Sequence, residues 1–252
     1  MTNINWQPLQ NEFQQWRDID MILPIWWRDD DAIAPTPALD MLNNIANDIN
    51  IPVHLAVIPK LATPALADHI HTMFKVIPVV HGWAHQNHEP QGIKKAEFGT
   101  TRPVEICAED AKAGLDMLKS MFGTRLKPMF VPPWNRINPE IYPHLAMIGY
   151  TSLSTYSLRK FSQAAIGLTQ INTHLDPIAW HDGRGLVAPD ILISETVKQM
   201  QDRRLGQADN TEPFGFLTHH LVHDQDIWEF IREFLTVMQS GPTKVYTLHQ
   251  SA

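Results

Sequence analysis

Short runs rich in β-branched or aromatic residues recur along this chain, and longer stretches with helical spacing separate them. That alternation narrows the available folds more than any other feature, because strands joined through helices run parallel and share one α/β sheet. The spacing predicts strands over 22–28, 53–58, 75–80, 127–131, 150–154, 169–173, 215–219 and 244–248. It predicts helices over 37–48, 64–73, 104–122, 139–147, 191–204 and 225–239. Pro37, Pro64 and Pro139 suit first helical turns, where the missing N–H costs nothing. About seven or eight such strands either close into a barrel or stay open as a doubly wound sheet, and both arrangements place chemistry at the carboxyl ends of the strands.

A chain of 252 residues is expected to form one domain over 1–252. With 44% apolar and 19% charged residues, it has enough to bury for a packed core. The net charge of -7, with no cluster of Lys and Arg, argues against nucleic acid or anionic lipid as a partner. Cys107 is the only cysteine, so no intrachain disulfide forms. The first residues lack the basic start and apolar run of a secretory signal, and no apolar stretch approaches the roughly 20 residues of a membrane span. The expected location is the cytoplasm.

Four polar clusters stand at the ends of the expected strands. They are Arg28 with Asp29, Asp30 and Asp31; His81 to His85; Val131 to Asn135; and Thr218 with His219 and His220. Strand ends at one rim converge in space, so residues far apart in sequence can share a pocket. Adjacent aspartates after an apolar strand repel one another unless a cation or hydrogen-bond donors offset the charge. Asp31 is as well suited to capping the following helix as to chemistry, whereas Asp29 and Asp30 favour function.

His81 and His85 have i, i+4 spacing, which on a helical turn aims both rings at one ion. As a bare pair they are more often polar loop histidines, and the acidic cluster is what raises their weight. Three protein ligands leave a position open for water, the mark of a catalytic metal site. His219, His220 and His223 offer a general acid near neutral pH, at least one of them being only a surface or core residue. Alternation sends the side chains of His219 and His220 in opposite directions. His54, inside an expected strand, reads as a packed core residue.

In order and rough spacing these clusters resemble the motif series of the polysaccharide deacetylase family, also called NodB-homology or carbohydrate esterase family 4. The resemblance runs from Asp29 to His219. It implies an α/β fold, a distorted (β/α) barrel of about seven parallel strands, and metal-dependent deacetylation of sugars. Trp27, Arg28, Asp29, Asp30 and Asp31 resemble the first motif, implying Asp29 as general base and Asp30 as metal ligand. His81 and His85 resemble the second, which supplies the other two ligands. Val131, Pro132, Pro133 and Trp134 resemble the third, implying that the Trp134 N–H helps to hold the oxyanion. Leu217, Thr218 and His219 resemble the last motif, with His219 as acid. The fourth motif is nearest between Asp176 and Asp182, with Trp180 as an apolar wall.

Two positions depart from the pattern: Val131 stands where the third motif has arginine, and Asp31 where the first has glycine. Either Arg28, Arg136 or Arg184 replaces that arginine, or the base works differently. The expected cofactor is a divalent metal, foremost Zn2+, with Co2+, Ni2+ or Fe2+ also compatible with Asp/His₂ ligation. The expected partner is a small or carrier-linked acylated sugar. The alternatives are an amidase for a non-sugar amide and a non-catalytic sugar-binding relative. Fold alone does not choose among them.

Overall fold

The computed structural model describes residues 4–248, so 1–3 and 249–252 of the expected domain lie outside the described residues. The chain runs α1 (Gln7–Arg17), β1 (Leu23–Ala32), α2 (Pro37–Asp48), β2 (Val53–Val57), α3 (Pro64–His71), β3 (Val76–His81), α4 (Val104–Phe122) and β4 (Met129–Val131). It continues through α5 (Tyr142–Ile148), β5 (Ser152–Leu153), β6 (Gln163–Ala165), β7 (Leu168–Gln170), α6 (Pro189–Arg204), β8 (Phe214–Thr218), α7 (Gln225–Ser240) and β9 (Thr243–Val245). Pro37 and Pro64 open α2 and α3, and the Thr36 hydroxyl caps α2 by accepting the Leu39 N–H at 3.0 Å. Asp31 therefore does not cap that helix.

The strand order is β6-β7-β5-β4-β3-β2-β1-β8, with β9 also paired to β1. Every pairing is parallel except β6 with β7. Beyond β7 the chain reaches β8: the His174 N–H donates to the Gly215 carbonyl at 2.7 Å and the Leu217 N–H to the Leu175 carbonyl at 2.8 Å. This contact draws the two ends of the sheet together into a distorted barrel. Trp26, Ala56, Val79, Met129, Val131 and Ile171 form an apolar cluster in its interior, with Tyr246 and Leu248 packed against it. Gly215 makes room there, since a Cβ at that position would meet the Trp26 Nε1 at 2.5 Å.

Two elements differ from expectation. Helix α1 was not foreseen, although Leu9, Phe13 and Trp16 fall on one face and are all buried. That stripe is narrow, yet each such side chain stabilises by about 1.5–3 kcal/mol when covered. The helix is tied down by Arg204, which donates to the buried Glu12 carboxylate at 2.7 and 3.0 Å. The antiparallel strand β6, Gln-Ala-Ala, is too short to show an alternation. Among the described residues no helix is long and apolar enough to cross a membrane.

Candidate active site

Alternation along β1 divides its charged end between two sides. Trp26 points into the barrel, so Arg28 and Asp30 follow it toward the mouth, whereas Trp27 and Asp29 face the surrounding helices. The same parity on β3 places His81 with Val79 on the interior side, and just past the end of β8 His219 turns toward Asp176 while His220, opening a short helical turn, turns to Asp29.

Asp31 would return to the outer side if alternation continued. Instead the pairing of β1 with β2 shifts register between Asp29 and Ala32, and Asp31 adopts φ 76. This bulge re-aims the side chain. The Asp31 Oδ1 then lies 3.1 Å from His81 Nε2 and 3.3 Å from His85 Nε2. These three residues offer ligand atoms that all lie within 4.8 Å of one another. The structure brings Asp31, where Asp30 was expected, together with the two histidines. Asp30 is occupied by Arg28, which donates through Nε to Oδ1 and through Nη2 to Oδ2, both at 2.9 Å.

Asp29 is also displaced from its expected place. It is buried on the outer side, where it accepts the Thr218 hydroxyl at 2.6 Å, the His220 N–H at 3.0 Å and the His220 Nδ1 at 2.5 Å. Burial opposes its charge, but the neighbouring His220 outweighs it and holds the carboxyl below its ordinary value. For His220 the balance is mirrored: burial disfavours the charged ring, and Asp29 still raises it above its ordinary value.

The Arg28 guanidinium also donates to Asn135 Oδ1 and Ser154 Oγ, both at 2.6 Å, and to the Thr155 carbonyl at 3.4 Å. A bidentate, charge-assisted fork of this kind fixes a carboxylate in direction as well as distance. Val131 carries no side-chain charge to the site, and its carbonyl accepts the Gly82 N–H at 2.9 Å and faces His81 Nδ1 at 3.0 Å. With Nδ1 donating to that carbonyl, His81 presents Nε2 toward Asp31, the second contact that commonly orients a metal-binding imidazole.

His85 reaches its partners from a loop and not from a helical turn, since the chain leaves β3 at His81 and both Gly82 and His85 have positive φ, 57 and 55. Its ring lies 5.2 Å from the His81 ring and 4.3 Å from that of Trp134. Burial disfavours the charged form of His81, yet Asp30 and Asp31 raise it above its ordinary value. Burial and the nearby His81 lower His85. Asp31 is held well below the carboxylate range: burial opposes this, and the His81 hydrogen bond and the charges of His81, His219 and His85 outweigh it. Two imidazole nitrogens and an ionised carboxylate oxygen directed at one point fit a divalent cation.

His219 follows directly on β8. Its Nδ1 is buried, lacks a hydrogen-bond partner among the described residues and lies 3.8 Å from Asp176 Oδ2. The Trp180 indole donates to that same oxygen at 2.8 Å and packs edge-on against the His219 ring at 4.7 Å. Burial raises Asp176, offset in part by His219. Asp176 and Trp180, from the segment nearest to the fourth motif, thus stand beside His219. Trp134 sits in the turn after β4 with φ 57, and its ring packs beside that of His85.

Sequence reasoning missed Glu97, whose buried carboxylate accepts backbone N–H groups from the loop carrying His85. No periodicity or motif marks that residue.

No protein-family model matches the chain, and no curated protein matches it. Solved structures match its fold. A family 4 carbohydrate esterase from Streptomyces lividans, described in complex with acetate, is 12% identical and aligns over 90% of this chain and 93% of its own with a TM-score of 0.57. The peptidoglycan deacetylase PdaC from Bacillus subtilis is 15% identical over 90% and 88% of the two chains, with a TM-score of 0.53. At such identities the likeness is one of fold, and the fold is the NodB-like barrel shared by those deacetylases.

Proposed function

We propose that this chain is a metal-dependent hydrolase that removes an acetyl group from an N-acetylated sugar or sugar-containing small molecule. The observation that carries this reading is the convergence, at one mouth of the barrel, of the Asp31, His81 and His85 cluster with a separately clamped Asp30 and with His219. Asp31, His81 and His85 are the ligands of one divalent ion in this reading, zinc being the first choice for two imidazoles and a carboxylate. Such an ion supplies Lewis acidity toward an acyl carbonyl and a water molecule.

The chain's own groups do the rest. Asp30 takes the role of general base that the resemblance assigns to Asp29. Each of its oxygens receives one Arg28 N–H, which leaves a lone pair on each to accept the proton of an attacking water. His219 faces Asp176 through Nδ1, so Nε2 is the atom that delivers a proton to the departing amine. Amines leave poorly unless protonated, so an acid is required as well as a base. The Trp134 N–H is the proposed donor to the developing oxyanion, a contact worth about 2.7–4 kcal/mol where one donor is removed. Trp180, 38% exposed, supplies an apolar wall beside the acid.

The test pairs two substitutions with a substrate screen. Zinc-loaded wild type, Asp31→Asn and Asp30→Asn are compared by elemental analysis and by acetate release from N-acetyl sugars, sugar nucleotides and simple amides. Asp31→Asn should lose metal by about tenfold or more, and Asp30→Asn should keep metal but lose turnover. The opposite result restores Asp30 as ligand. Release from non-sugar amides alone replaces the sugar reading with the amidase reading. A metal-loaded protein that turns over none of them is the non-catalytic relative.

A further inference from the structure

We infer that Glu97 is the positioning residue that sets His85 against Asp31 and His81, an inference that rests on the metal reading above. The residues between Gly82 and Gln86 have no helix or strand to hold them, and two of them occupy the left-handed region. For His85, which has a Cβ, that conformation persists only where the surroundings enforce it. The Gly82 N–H is held by the Val131 carbonyl and the Trp83 carbonyl by the Lys60 N–H, both at 2.9 Å, and the N–H groups of Trp83, Ala84 and Gln86 converge on one carboxylate. Glu97 Oε2 accepts the Trp83 N–H at 3.1 Å, and Oε1 accepts those of Ala84 at 2.7 Å and Gln86 at 3.5 Å.

Glu97 is wholly buried, and no ion pair to it is found among the described residues. A buried carboxylate is costly unless hydrogen bonds satisfy it, and these loop N–H groups do so. Gly82 lets the carboxylate come close, because a Cβ there would collide with Glu97 Oε2 and with Pro133. Glu97 is itself brought back to the loop by local bonds. The His88 N–H donates to the Ala96 carbonyl and the Ala96 N–H to Asn87 Oδ1, both at 3.0 Å, and Arg102 donates to the Glu97 carbonyl at 3.0 Å. Among the described residues no hydrogen bond or ion pair joins the carboxylate to His81 or His85; its charge favours the protonated form of His85, and its hold on the loop is through the backbone N–H groups.

The experiment uses the full chain carrying Glu97→Gln, which keeps the volume but sets an amide N–H₂ against a backbone donor. Zinc affinity is measured by competition with a chromophoric chelator, and Co2+ is added separately to read its visible absorption. Glu97→Gln should weaken zinc about 10–100-fold, the usual cost of losing a group that orients a ligand. The cobalt bands should weaken as an imidazole is lost from the ion, a change that a general loss of stability does not produce. Glu97→Asp, which keeps the charge but withdraws it by one methylene, should shift both readings in the same direction by less.

Folded Glu97→Gln with wild-type zinc affinity and an unchanged cobalt spectrum overturns the inference alone, provided that His81→Ala loses zinc. Wild type that takes up neither metal overturns the metal reading and this inference with it. Failure of both Glu97 variants to fold also overturns it, assigning the residue to folding and not to positioning.

Discussion

Arg28 and Asp30, two residues apart on one face of β1, meet as a buried fork with both N···O distances at 2.9 Å. Arg28 thereby supplies from the first strand the guanidinium that Val131 cannot supply from the fourth, and Asn135 and Ser154 hold its other edge. Removing one partner of a buried pair leaves the other charge uncompensated. Arg28→Ala should cost about 3–5 kcal/mol in urea unfolding. Arg28→Lys keeps the charge but not the fork. It should retain bound metal and still lose about 10²–10⁴ in turnover, the range for a misdirected general base. Equal turnover in the lysine variant would show that charge alone suffices and that the fork has no part in catalysis.

His219 and His220 are adjacent but turn to Asp176 and Asp29 respectively just past β8, so their substitution should separate cleanly. His219→Ala should lose about 10²–10⁴ in catalytic rate with little change in stability. An activated ester, whose leaving group needs no proton, should recover much of that loss. His220→Ala should instead lower stability, because Asp29 would remain buried without its closest partner. Rate measurements on both substrates with parallel urea titrations decide it. An ester-rescued rate defect in His220→Ala would exchange the roles of the two histidines.

His54 predicts how stability depends on pH. Burial pushes it down from 6.5 to about 4, against the hydrogen bond to the Trp27 carbonyl. Its folded value lies below its unfolded one, so the unfolded chain binds more protons throughout that window and stability falls as pH drops from about 6.5 toward 4. The slope from one such group is at most about 1.4 kcal/mol per pH unit. His223, lowered by burial to about 4, acts in the same direction. His81 and His220, raised in the fold, act in the opposite direction, so what is expected is a difference: between pH 6.5 and 4.5 in urea unfolding, acidification should cost the wild type more stability than it costs His54→Asn. Identical slopes in the two proteins would mean that His54 does not titrate as its burial implies.

Much of this architecture is legible in the residues themselves. The helices over 37–48 and 104–122 coincide with α2 and α4, since Pro37, the Thr36 cap and a sustained apolar period act within a few residues of one another. The strand ends that carry the four polar clusters are legible too, because strand location is a local property; His219 and His220 do diverge, but past the end of β8 and through a short helical turn rather than by strand parity. Local reasoning fails where a local rule is broken. Three consecutive aspartates are indistinguishable by residue type, and strict alternation pairs Asp29 with Asp31 against Asp30.

Only the tertiary structure assigns these three carboxylates to their different surroundings. The bulge in the β1–β2 pairing and the positive φ of Asp31 turn that residue to the histidines, leaving Asp30 to Arg28 and Asp29 to His220. The sequence by itself determines the parallel α/β order and the set of polar residues brought to one rim, because periodicity and strand-end location are written in neighbouring positions. Which carboxylate meets which cation, and the capture of the His85 loop by Glu97, depend on register between strands and on a loop folding back on itself. Those are long-range choices made by burial and hydrogen bonding between segments distant in sequence.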